Sequence, residues 1–160
     1  MNRMDNVNRI RPGFLAPDFS LPDMEGEEVN LFSFLGKKNI VLFFFPDTQD
    51  KEILTFLSTL QENLKEIRLR DGRVVAVFSE KKRLLRKLKE NLTLEFPVLA
   101  DEKGGVGWEY GVVDTSSGRE KFYPAVFIIS QEGIVRFRQV FLGDERPSIE
   151  VINSLLDKLT

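Results

Sequence analysis

Apolar residues run without a break from Ile40 to Phe45 and stop at Pro46. A run this short and rich in β-formers predicts a strand covered on both faces; it cannot cross a bilayer. Ile53, Phe56, Leu57, Leu60, Leu64 and Ile67 then recur at helical spacing. They predict one amphipathic helix over residues 50–69, with Asp47, Thr48 and Asp50 as candidate N-caps and Asp71-Gly72 as its end. Val74 to Phe78 reads as a second buried strand. Residues 80–92 read as a basic helix, 96–100 as a short strand, and 106–110 as a helical turn. A strand over 125–129 turns at Glu132-Gly133 into a hairpin partner over 134–141. An amphipathic helix over 146–158 closes the chain. Earlier, Asp18–Leu21 and Glu28–Leu31 flank a turn at residues 23–26, which predicts a small hairpin.

Right-handed crossovers make the first two long strands parallel, while the last hairpin is antiparallel. The expected architecture is therefore α/β, with a central mixed β-sheet flanked by helices. The domain reading is a flexible arm over residues 1–10 and a single domain over 11–160.

Composition narrows the chemistry. The 160 residues include 14 Phe but no Cys and no His. Thiol chemistry, disulfides, Ser-His-Asp triads and thiolate or imidazole metal sites are therefore excluded. Acids beside glycine, such as Asp101 and Glu102 near Gly104-Gly105, read as turn and capping residues, so no metal or cofactor is expected. The glycines at 104, 105 and 107 fit neither phosphate-binding spacing. Ser79 and Lys82 have the spacing of a Ser/Lys pair without its supporting motifs. A net charge of −2 gives no global attraction to nucleic acid or anionic membrane. The basic run from Lys81 to Lys89 reads as the solvated face of a helix whose leucines pack inward. Residues 1–11 lack the apolar stretch of a signal peptide, so a soluble, cytoplasmic protein is the expectation.

Four segments carry a resemblance. Residues 13–21 read GFLAPDFSL. Residues 36–46 read GKKNIVLFFFP. FPVLAD at 96–101 is followed by YGV at 110–112. FII at 127–129 precedes Gly133 and Val135. Their order resembles the peroxiredoxin branch of the thioredoxin fold, the AhpC/TSA family. The resemblance covers roughly residues 11–158 and implies a thioredoxin-like fold with a peroxiredoxin-type N-terminal extension. It also implies an antioxidant oxidoreductase of the peroxidase or thiol-disulfide type.

The same alignment removes the chemistry. The family places its peroxidatic cysteine at the start of the helix after the loop proline. Here that loop reads Pro46-Asp47-Thr48-Gln49-Asp50-Lys51-Glu52-Ile53-Leu54. Counting puts Ile53, or with one residue of slack Leu54, at the cysteine position. A thioredoxin-like pair would fall near Gln49 and Glu52. The family's arginine falls on Pro124. Tyr123-Pro124 resembles instead the loop proline of thioredoxin-like disulfide reductases, which is cis there, and the resemblance leaves the isomer here open. Asp47, Asp50 and Glu52 complement the helix dipole and would oppose a thiolate.

The reading is a cysteine-free relative with no catalytic residue. Its vestigial loop comprises Pro46, Thr48, Gln49, Asp50, Ile53 and Leu54, and Tyr123, Pro124 and Trp108 are candidates for a binding cleft. The protein would be retained for binding, for regulation or as a partner subunit. The expected partner is a second copy or a cysteine-bearing redox protein.

Overall fold

The computed structural model describes residues 10–116, 121–143 and 145–159. A hairpin of β1 (Ser20–Pro22) and β2 (Glu28–Asn30) precedes a 3-10 turn at Leu31–Phe34. Then follow β3 (Asn39–Phe45), α1 (Lys51–Glu62), α2 (Leu64–Leu69), β4 (Gly72–Phe78), α3 (Lys82–Leu92) and β5 (Val98–Ala100). The chain continues through α4 (Gly105–Glu109), β6 (Val113–Asp114), β7 (Lys121–Phe122), β8 (Ala125–Ile129), β9 (Val135–Val140) and α5 (Ile149–Asp157). The central sheet has the order β5-β4-β3-β8-β9. β3, β4 and β5 are parallel, and β8 and β9 run against them. This is the expected mixed sheet.

Period-two alternation divides the core. Val41, Phe43 and Phe45 face the side covered by α1, α2, α3 and α5, through Ile53, Leu57, Ile67, Leu85 and Leu156. Ile40, Leu42 and Phe44 face the N-terminal extension, together with Tyr110, Val112 and Phe122. The two faces are thus covered unequally, with four helices on one. The other carries short α4, strands and loop. Ile10, placed by the sequence at the end of a flexible arm, is buried in this second cluster. The rest of that arm, residues 1–9, lies outside the described residues.

Three boundaries differ from expectation for local reasons. The helix over 50–69 is two helices meeting at Asn63, whose Nδ2 donates to the Thr59 carbonyl at 2.8 Å. A short amide side chain that competes for backbone acceptors interrupts a helix there. β5 begins at Val98 because Pro97 has no N–H to add to the ladder. α5 begins at Ile149 because the Ser148 hydroxyl caps it, accepting from the Val151 N–H at 3.4 Å.

Asp101, at the end of β5, is buried, and its carboxylate accepts from the Gly107 N–H at 2.9 Å. Burial pushes its carboxyl up from the ordinary range, against backbone N–H donors at residues 105–107 that pull it down. An acid raised in the folded state is disfavoured above that pKa and relieved as pH falls towards the unfolded value. Asp101→Asn keeps the acceptor and removes the titration. The melting temperature of Asp101→Asn minus that of the parent should therefore fall as pH drops from 7 to 4. A pH series of thermal melts checks this; a difference constant with pH would refute it.

Candidate functional site

Parallel neighbours end on the same side of a sheet, so the loops leaving β3 and β4 share one edge. Ligand sites of open α/β sheets lie beyond the carboxyl ends of their strands. The loop leaving β3 is Pro46–Asp50 and the one leaving β4 holds Ser79-Glu80. They are clamped together. The Glu80 carboxylate accepts from the Thr48 N–H and from the Thr48 hydroxyl, both at 2.9 Å. Asp47 Oδ1 accepts from the N–H groups of Gln49 and Asp50 at 2.9 and 3.1 Å. Asp50 Oδ1 caps α1, accepting from Glu52 N–H at 2.8 Å and Ile53 N–H at 3.3 Å. The first N–H groups of α1, which could stabilise an anion, are already used by a carboxylate.

Two cations close the loop from outside. Lys121 Nζ lies 3.3 Å from Asp47 Oδ2. Arg146 Nη2 lies 3.4 Å from Asp50 Oδ2 and 3.3 Å from Glu52 Oε2. Its Nη1 donates to the carbonyls of Gly143 and Glu145 at 3.1 and 2.8 Å. A guanidinium so occupied serves its own loop and α1. Pro124 stands where the sequence resemblance expects an arginine, and the cation that reaches this helix start, Arg146, comes from a different segment.

The two positions that the sequence resemblance proposes for a cysteine differ in kind. Ile53 is 0% exposed within the helical side of the core. Leu54 is partly buried and lines a groove of about 230 Å³ between the loop and α3. That groove is lined by Thr48, Gln49 and Leu54 from the loop and α1, and by Leu84, Leu88 and Lys87 among others from α3. Its floor is aliphatic and its rim polar.

Pro124 precedes Ala125, the partner of Phe44 in the β3–β8 ladder. It therefore sits at the end of the sheet where Pro46 begins the loop. The Tyr123–Pro124 bond is trans, unlike the cis bond of the reductase loop proline it resembles. Both neighbours are drawn into extended pairing: Tyr123 N–H donates to the Val112 carbonyl at 2.7 Å and Phe141 N–H to the Pro124 carbonyl at 2.8 Å. Trans is also the cheaper isomer by about 0.5–1 kcal/mol. Trp108 lies on α4 and is half-exposed. Trp108, Tyr123 and Pro124 do not line the groove that joins Thr48, Gln49 and Leu54.

Glu80, Lys121 and Arg146 escaped sequence reasoning. Glu80 was readable in principle, since two parallel strands leave their loops at one edge. Arg146 and Lys121 lie some 70 to 100 residues from their partners, and no local pattern points to them.

The fold and the loop geometry place the chain among peroxiredoxin-like thioredoxin folds. The sequence profile of the AhpC/TSA family matches residues 12–138, and the chain belongs to that family. It is 31% identical over 124 residues to peroxiredoxin Bcp of Escherichia coli, covering 78% of this chain and 79% of that one. A putative peroxiredoxin of Mycobacterium tuberculosis is 26% identical over 148 residues, or 92% and 87% of the two chains. The crystal structure of peroxidoxin BcpB from M. tuberculosis superposes with a TM-score of 0.86 at 21% identity, covering 94% of this chain and 99% of that one. Plasmodium vivax 2-Cys peroxiredoxin superposes at 0.82 with 22% identity, covering 91% and 80%. Among the described residues no helix is long and apolar enough to cross a membrane.

Proposed function

We propose that this AhpC/TSA-family chain is not a thiol peroxidase and that its former active-site loop serves as a binding surface, for regulation or as a partner subunit. The carrying observation is Ile53: a fully buried branched aliphatic stands at the position that counting from Pro46 assigns to the family's cysteine, with Leu54 the alternative, behind a helix start capped by Asp50. Neither the attacking group nor a free anion-stabilising N-terminus remains. The second support is the groove beside Thr48, Gln49 and Leu54, whose apolar floor and polar rim suit docking of an apolar side chain. Tyr123, Pro124 and Trp108 are further candidate contacts. The partner is a second copy or a cysteine-bearing redox protein of the cytoplasm.

Peroxide consumption tests the first half directly. With hydrogen peroxide or an organic hydroperoxide and a dithiol reductant, the purified chain should give a rate indistinguishable from buffer. Catalytic turnover would overturn the proposal and restore the antioxidant oxidoreductase activity that the names of the curated relatives suggest. For the second half, recovery of a cysteine-containing partner from host lysate should be lost when Leu54 is replaced by Glu. Sedimentation distinguishes a second copy from a foreign partner.

A further inference from the structure

The opposite edge of the sheet carries a polar cavity that the family resemblance does not involve. β3 is seven residues long, so this edge lies roughly 20 Å from the Pro46 loop. The cavity, of about 350 Å³, is lined by Asn39, Ser130, Gln131, Glu132, Arg136 and Lys158. Asn39 opens β3, Ser130 to Glu132 form the turn after β8, Arg136 lies on β9, and Lys158 ends α5. Chain topology alone gathers these four segments.

Asn39 is the unusual member. It is 2% exposed, and its orientation is set: Oδ1 accepts from the Gln131 N–H at 3.2 Å. Its Nδ2, which can donate twice, is buried and has no protein acceptor. Buried donors without a partner are rare and call for an explanation. Asn39 also lines the cavity, and a small shift of its amide towards that space would give Nδ2 a ligand acceptor.

The charges agree. Arg136 and Lys158 are both exposed at the rim, and neither forms an ion pair with another described residue. Glu132 is the single carboxylate in the lining. The Ser130 hydroxyl, then the Glu132 backbone N–H and more weakly the charge of Arg136, lower its carboxyl below the ordinary range. The lining therefore carries two cations and two amide side chains against one carboxylate. An Arg fork and a Lys point charge with neutral N–H donors suit an anion with three or more oxygens.

We infer that the cavity between Asn39, the 130–132 turn and the end of α5 binds a small phosphate-type oxyanion, free or as the phosphoryl group of a metabolite. Binding here is independent of the Pro46 loop.

Calorimetric titration of the full chain with inorganic phosphate, at constant ionic strength in chloride, tests it. Saturable one-to-one binding is expected. It should weaken at least tenfold in the double variant Arg136→Gln/Lys158→Gln, whose changes lie on exposed side chains. Glu132→Gln should tighten it several-fold by removing the one opposing charge. Glycerol 3-phosphate in place of phosphate separates the sources: tighter binding indicates a phosphorylated metabolite, equal binding a free oxyanion, and both support the site. No saturable phosphate binding would overturn the proposal, as would equal binding by the parent and the Arg136/Lys158 variant.

Discussion

Ile53→Cys should yield a folded protein with an inert thiol and no peroxidase activity, although it places a cysteine where counting from Pro46 puts the family's. Three terms oppose a thiolate at this position. Residue 53 is fully buried, and burial raises a thiol's pKa by penalising the charged form. The Glu52 and Ile53 N–H groups, the donors that would stabilise the anion, already bind Asp50 Oδ1. Asp50 and Glu52 add negative charge, and Arg146 is committed to both of them. Each unit by which the pKa rises lowers the thiolate fraction at neutral pH about tenfold. Alkylation by iodoacetamide at pH 7.5 should therefore run at least roughly tenfold slower than at an exposed cysteine. Asp50→Asn keeps a helix cap but removes the charge, so Asp50→Asn/Ile53→Cys should react faster than Ile53→Cys alone. Catalytic peroxide turnover by Ile53→Cys would show that one substitution separates this chain from a working enzyme. It would also show that the acids around the loop are no obstacle.

The contrast with Leu54 sharpens the test. Leu54 faces the groove beside Thr48 and Gln49. A cysteine there is reachable by reagents, so slow alkylation of Ile53→Cys alone reports burial and charge rather than a general feature of the helix start.

The scaffold was legible because its signals are periodic. Ile40–Phe45 and Val74–Phe78 fitted strands buried on both faces best, and the spacing from Ile53 to Ile67 fitted a helix. What the pattern could not show was the break at Asn63, where one amide side chain outweighs the apolar periodicity. Nor could it show the 3-10 turn at Leu31–Phe34 or the two-residue pairing of β6 with β7, which are too short to carry a period. The loop's residue types were legible in the same way: Asp50 acts as the N-cap that its position suggested. The wiring of the loop was not. Glu80, Lys121 and Arg146 meet Thr48, Asp47 and Asp50 only because the sheet brings distant strand ends to one edge. The ion pairs of Lys121 and Arg146 are only partly buried and each contributes little stability, so their interest lies in holding the loop against α1. The cavity at Asn39 was hidden for the same reason, since four segments build it and each looks ordinary alone.

Phe44→Ala should be the most damaging single truncation on the face that holds the N-terminal extension. Phe44 is fully buried, with ring centroids of Tyr110, Phe122 and Phe127 at 5.3, 5.5 and 5.8 Å. Removing a buried Phe side chain costs about 3–5 kcal/mol, part of it from the cavity left behind. In a protein of this size each kcal/mol shifts the melting temperature by about 2–4 °C, so a drop of roughly 10 °C is expected. The loss should also have a local signature. Tyr110 leans on Phe44 and donates its hydroxyl to the Pro17 carbonyl, while Phe19 packs edge-on against the same Tyr110 ring. Loosening Tyr110 therefore loosens the extension over residues 13–19, and limited proteolysis should cut there sooner in Phe44→Ala than in the parent. Leu69→Ala, at a largely exposed apolar residue, supplies the control, with a change expected within about 0.5 kcal/mol. A melting temperature for Phe44→Ala close to that of Leu69→Ala would mean that the aromatic cluster can collapse around the missing ring. The extension would then be held by its backbone bonds to β9, through Gly13, Phe14 and Val135, rather than by Tyr110.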